Sequence, residues 1–153
     1  MNREGQQGTE FHLDALYQKA LMRHAQNPAG TIPVQPVHAE AEGYNPSCGD
    51  EIIIRLSQES SGTLKGIQIL VHGCSICRAS GSILWRLIQE LSNQEIQDAI
   101  HHFQSLMVGE PADEDLLKEA DVLKGVARFP VRLDCALLPW TTLNNALKKL
   151  DSL

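Results

Sequence analysis

The sequence predicts an α+β domain, built as a three-stranded antiparallel sheet with helices packed on one face. Three observations carry this. Strand-like segments cluster between residues 37 and 72, and the chain beyond them is apolar at helical period. The second and third strands are joined by Glu59-Ser60-Ser61-Gly62-Thr63, whose glycine and hydroxyl residues suit a hairpin. Strands first and helices afterwards is the order of a sheet covered on one side, not of alternating βα units.

Taken in order, the first ten residues are polar and Gly/Gln-rich, and are expected to be disordered. Residues 11–153 form a single domain. From Phe11 to about Gln26, the residues Leu13, Leu16, Tyr17, Ala20 and Leu21 follow helical spacing. Asn27-Pro28 stops that helix, because a residue before proline avoids helical dihedrals. Pro28, Pro33 and Pro36 make residues 27–36 an extended loop. Strands are expected at Val37–Gly43, at Glu51–Gln58 with its Ile52-Ile53-Ile54 run, and at Leu64–His72 with Ile67, Ile69 and Val71 on one face. Ile76, Ala79, Ile83, Leu87, Ile88 and Leu91 then form one helical stripe. Ser92-Asn93-Gln94-Glu95 fits a capping box and opens a second helix with Ile96, Ala99, Ile100, Phe103 and Leu106 inward. Gly109-Glu110-Pro111 breaks it. Asp113 caps a short helix to about Lys124. The last helix runs from about Leu137 to Leu150 and starts close to Cys135, because Pro139 is tolerated only near a first turn.

A chain of 153 residues buries enough surface for a core without staples. Its net charge of −6 disfavours nucleic acid and anionic membrane as main partners, since both need clustered positive charge. No stretch approaches the roughly 18 apolar residues of a membrane span. The N-terminus lacks the apolar core of a secretion signal, so a reducing cytoplasm is expected. There four cysteines are read as ligands or reactive thiols before disulfides.

Cys48 lies in Asn45-Pro46-Ser47-Cys48-Gly49-Asp50, a turn sequence. Were the turn to run on into a strand, Cys48 and Asp50 would share a face and could chelate one ion. Cys74 follows Gly73 at a strand-to-helix junction, and Cys135 is expected just ahead of the last helix. Helix N-termini carry positive potential that favours thiolate. Three thiolates and one carboxylate make a four-coordinate set suited to zinc or to an iron–sulfur cluster. Together they carry −4, so Arg132 and Arg78 are candidates to offset the charge left after a divalent cation binds. The plainer reading is three small buried hydrophobes. Cys74-Ser75-Ile76-Cys77 is a CxxC at a helix start, but the βαβ context of a thioredoxin-like motif is missing. His72 is read as a solvated or hydrogen-bonded strand end, and His24 and His38 carry no signal.

Three segments go beyond spacing: Asn45-Pro46-Ser47-Cys48-Gly49-Asp50, Gly73-Cys74-Ser75-Ile76-Cys77-Arg78-Ala79-Ser80 and Phe129-Pro130-Val131-Arg132-Leu133-Asp134-Cys135-Ala136. In order, they resemble the cysteine motifs of the SufU/IscU family of iron–sulfur cluster assembly proteins, over about residues 11–150. The resemblance implies a metal site of Cys48, Asp50, Cys74 and Cys135. Members of the IscU branch carry a histidine directly before the third cysteine, where this chain has Asp134. The second and third cysteines here are 135 − 74 = 61 residues apart, a longer stretch than in that branch. Both features resemble the SufU branch. That branch implies zinc, with a [2Fe-2S] cluster or iron as the alternative. It implies a sulfurtransferase-type sulfur acceptor rather than a stand-alone enzyme. A SufS-type cysteine desulfurase docks, its histidine takes a zinc position, and the freed Cys48 accepts persulfide sulfur for a downstream iron–sulfur scaffold. A scaffold on which a cluster is assembled, and a zinc-stabilised interaction module, are the alternatives. Cys77 departs from the family pattern. Inert packing is the favoured reading, with a substitute ligand or a resolving thiol beside it.

Overall fold

The computed structural model describes residues 18–152. The expected disorder of residues 1–10 and the first turns of the N-terminal helix lie outside the described residues. Residues 18–26 are helical (α1) and end at Asn27, as the following proline requires.

Strands β1 (Ala39–Asn45), β2 (Asp50–Gln58) and β3 (Leu64–His72) form an antiparallel meander in that spatial order. β3 has the predicted bounds. β1 lies two residues downstream of expectation, because a four-residue turn pairs Asn45 directly with Asp50. The inner face is built in rows across the sheet. Ala39, Leu56 and Ile67 make one row, and Ala41, Ile54 and Ile69 the next; all six are buried. Gly43, Ile52 and Val71 make the third. The inner residues of β1 are small because a helix lies directly on them: a Cβ at Gly43 would stand 2.8 Å from Ile52 and overlap the Thr142 hydroxyl. The outer edge of β3 is closed by the proline loop and an indole. Ile69 N–H donates to the Gly30 carbonyl at 2.8 Å, and Trp85 Nε1 donates to the Ile67 carbonyl at 2.9 Å. Edge groups that would otherwise template another strand are thereby used.

Helices α2 (Ser75–Ile88), α3 (Asn93–Met107), α4 (Glu114–Leu117) and α5 (Pro130–Asp151) follow, with a 3-10 stretch over Lys118–Arg128. The capping box forms as predicted: Ser92 Oγ accepts from Glu95 N–H and Glu95 Oε1 from Ser92 N–H. The single short helix expected from 113 to 124 is instead one α-turn and a 3-10 run. His24, in α1, does find partners. Its Nδ1 meets Ser82 Oγ at 2.9 Å and its Nε2 meets Glu119 Oε1 at 2.6 Å, tying α1, α2 and the 3-10 run together.

The start of the last helix is corrected by the structure. α5 begins at Pro130, not near Cys135, so Pro130 is the first-turn proline whose missing N–H costs nothing. Pro139 lies buried in the helix interior and offers no N–H to the Cys135 carbonyl. Packing makes the interior proline tolerable. Trp140 stacks on Phe103 at 3.9 Å and donates from Nε1 to Ser80 Oγ at 2.9 Å; Ser80 in turn donates to the Ala136 carbonyl at 2.6 Å. This chain of contacts fixes α5 against α2, and with it the height of Cys135 relative to Cys74.

Candidate metal centre

The rows of the inner sheet face run apolar until their last member. Past Ile52 the next row is Asn45 and Asp50, followed across the sheet by Gly73, the residue after β3. Asn45 and Asp50 are both buried. Gly73 is required there: any Cβ would overlap the Asp50 carboxylate and stand 2.9 Å from its Cα. The backbone can therefore pass close enough for the Cys74 N–H to donate to Asp50 Oδ1 at 2.7 Å.

Four segments meet at this row. The β1–β2 turn supplies Cys48, beside Gly49 at φ +70. Strand β2 supplies Asp50. Cys74 is the N-cap of α2 and Cys135 stands in α5. One donor atom each from Cys48, Asp50 and Cys135 lies within 4.8 Å of the others. Cys135 Sγ and Cys48 Sγ are 3.2 Å apart, and Cys74 Sγ lies 3.8 Å from Asp50 Oδ2. Cys48 and Asp50 converge through the turn, not through strand alternation. Cys135 sits inside α5 and owes nothing to a helix N-terminus.

The donors fit a small thiophilic ion. Zinc with sulfur at about 2.3 Å and oxygen at about 2.0–2.2 Å separates tetrahedral ligands by roughly 3.5–3.8 Å; Cys48, Asp50 and Cys135 stand within 4.8 Å of one another, and Cys74 lies outside that group, reaching it through Asp50. Burial pushes the Cys135 thiol far up, and bonds to Cys48, Asp50 and Cys74 act in the same direction. Burial also works to raise Asp50. It is outweighed by the Cys74 backbone N–H, the Cys135 and Cys74 thiols and the Asn45 amide, which hold the carboxyl below its ordinary value. The protein thus keeps a buried carboxylate charged among thiols, which is the arrangement a cation would occupy.

Asn45 is the residue that sequence reasoning missed. Its Nδ2 donates to Asp50 Oδ2 at 3.2 Å and to Cys135 Sγ at 3.4 Å, while its Oδ1 accepts from Ser47 N–H at 3.2 Å. The Asn-Pro pair signalled only the turn. Arg132 is exposed and shares the wall of an open hollow of about 570 Å³ with Cys74, Ser75 and Ile76. Cys77 is wholly buried in α2. Its thiol is pushed up by burial first, then by the charges of Asp50, Cys74 and Cys48. His72 is exposed at the end of β3.

Residues 16–152 match the NifU-like N-terminal domain family. A Thermotoga maritima protein described as the iron-sulfur cluster assembly scaffold protein IscU is 32% identical over 136 residues, 89% of this chain and 95% of that one. The zinc-dependent sulfurtransferase SufU of Bacillus subtilis is 32% identical over 145 residues, 90% of this chain and 93% of that one. The crystal structure of FiSufU from Fervidobacterium islandicum superposes with a TM-score of 0.76 at 28% identity, covering 84% of this chain and 93% of that one. A NifU-like structure from Brucella abortus, at 18% identity and a TM-score of 0.81, shares the fold over 91% of this chain and 96% of that one. A family match across nearly the whole chain, on a fold that gathers thiols and a carboxylate at one end of its sheet, places the protein in the NifU-like N-terminal domain family, among the IscU/SufU proteins of iron–sulfur cluster assembly.

Proposed function

We propose that this chain is a zinc-dependent sulfurtransferase that accepts persulfide sulfur on Cys48 from a SufS-type cysteine desulfurase and hands it to a downstream iron–sulfur scaffold. The observation that carries this is the convergence of Cys48, Asp50 and Cys135 donors within 4.8 Å, with Cys74 on the same carboxylate. Asp134 ahead of the third cysteine, the long stretch between Cys74 and Cys135, and the likeness to the Bacillus subtilis sulfurtransferase support the zinc branch. Cys48, Asp50, Cys74 and Cys135 would hold the ion. When bound, zinc supplies charge that keeps thiolates deprotonated at neutral pH.

The chain's own residues divide the work. Asp50 and Cys135 are buried and fixed by Asn45, whereas Cys48 and Cys74 are half-exposed, Cys48 on the β1–β2 turn and Cys74 with its N–H tied to Asp50. Cys48 is therefore the donor that reaches an incoming persulfide. Its thiolate attacks the terminal sulfur, a new S–S bond forms on Cys48, and the desulfurase cysteine leaves as thiolate. The rate of such exchange follows thiolate fraction and access. The test is desulfurase turnover with the zinc-loaded protein against Cys48→Ala. Stimulation by the wild type that the variant loses is the expected result. No stimulation by the wild type overturns the reading.

A second reading, a scaffold carrying an iron–sulfur cluster as cargo, is favoured by the equal likeness to the Thermotoga maritima scaffold. Anaerobic reconstitution distinguishes it. A stable chromophore with matching iron and sulfide, passed to an apo-acceptor, would support cargo assembly; loss of colour on desalting would count against it.

A further inference from the structure

Cys77 is a thiol beside the site that the proposed sulfur transfer leaves unused. It is the third residue of α2, and Cys74 is the N-cap of that helix. The Arg78 N–H donates to the Cys74 carbonyl at 3.1 Å, so the two cysteines belong to one closed helical turn. N-cap and N3 side chains face each other; these are the positions that exchange bonds in a capping box. Residues three apart on a helix hold their Cβ atoms about 5–6 Å apart, and a disulfide needs about 3.5–4.5 Å. Cys74 has φ −70 and ψ 165, outside the helical dihedrals, and no side-chain cap bond holds it. Closing the gap would need a rotation at Cys74, the one residue of the pair that is free of helical dihedrals. Cys77 itself is 0% exposed, so only a sulfur delivered through Cys74 can meet it.

Resting on the sulfur-acceptor reading above, we propose that Cys74 and Cys77 form a redox dithiol that reduces sulfane sulfur delivered to this site to sulfide. Sulfur first passes within the site. Cys74 would give up its place on the ion, which Asp50 and Cys135 would retain; its thiolate attacks the terminal sulfur of the Cys48 persulfide, and Cys48 leaves as thiolate and takes up a proton. Both cysteines flank Asp50, which keeps this step local. Cys77 then attacks the inner sulfur, Cys74 Sγ. The Cys74–Cys77 bond forms and the bond to the terminal sulfur breaks. Hydrosulfide leaves with the electron pair and the Cys77 proton. The two thiols are oxidised to one disulfide while the sulfane sulfur is reduced by two electrons, so the balance closes on this chain alone. A further turnover needs a dithiol reductant. The product is sulfide, the oxidation level that an iron–sulfur cluster contains.

The test treats the full-length, zinc-loaded protein with glutathione persulfide and follows three quantities: sulfur added to the chain by mass, sulfide released, and disulfides by non-reducing peptide mapping. The wild type is expected to release about one sulfide per chain and to yield a Cys74–Cys77 disulfide. Cys77→Ala and Cys77→Ser are expected to keep the added sulfur and to release at least about tenfold less sulfide. Equal release by the variants, or a Cys48–Cys135 disulfide in place of the Cys74–Cys77 one, would overturn the dithiol. The wild-type peptide map decides this even if neither variant folds. Should no form of the chain gain sulfur at all, the acceptor reading falls first and takes the dithiol with it.

Discussion

At the scale of single residues, the site depends on two that supply no metal-binding sulfur or carboxylate. Gly73 makes room for Asp50, so Gly73→Ala would push the carboxylate away and break its bond from Cys74 N–H. Removing such supporting contacts typically costs a metal site about 10–100-fold in affinity. A competition titration of zinc against a chromophoric chelator should show a loss of that order; unchanged affinity would mean Asp50 is free to move. Asn45→Ala would leave Asp50 Oδ2 and Cys135 Sγ without their amide donor. Urea unfolding of the metal-free protein should read a loss of about 1–3 kcal/mol, the cost of unsatisfying buried polar atoms. Cys48, Asp50 and Cys135, whose donors the fold brings together, were singled out by the resemblance of their motifs to a family; the strand alternation invoked for Cys48 and Asp50 is replaced by a turn. Asn45 and Gly73 were not legible, because their roles exist only once β1, β2 and the end of β3 stand in register.

Elements with local signals were read well and those decided by packing were not. β3 alternates cleanly and keeps its predicted bounds. The capping box of α3 is a four-residue code that needs no tertiary context. Ser92→Ala should lower the unfolding free energy by about 1 kcal/mol, seen as an earlier denaturant midpoint with unchanged slope. The same cap gives a pH signature. Hydrogen bonds from the Ser92 backbone and hydroxyl hold Glu95 below its ordinary value. A carboxyl depressed in the folded state stabilises above its unfolded pKa and loses that contribution as pH falls through the folded one. The difference in midpoint between wild type and Glu95→Gln should therefore shrink on acidification below about pH 4. α5 was misjudged at its start because a buried proline reads as a boundary, and only the Phe103–Trp140–Ser80 contacts show why it is carried in the interior. His24 gave no signal because both of its partners are supplied from elements far along the chain.

For the whole molecule, the buried apolar cluster of sheet and helices includes none of the four proposed metal ligands. Chelation should therefore leave the far-ultraviolet circular dichroism nearly unchanged while lowering the melting temperature. A ligand at 100 times its Kd stabilises by about 2.7 kcal/mol, which for a chain of this length is a shift of about 5–10 °C. Collapse of the helical signal on chelation would show instead that the core depends on the ion. The site is also spread widely along the chain: Cys48 and Cys135 meet across 87 residues. During synthesis, the hairpin and α2 emerge from the ribosome well before the segment that carries the last sulfur. A nascent chain can offer an ion only part of its coordination sphere until α5 has docked, so loading belongs to the finished protein, and competition between metals is settled after translation.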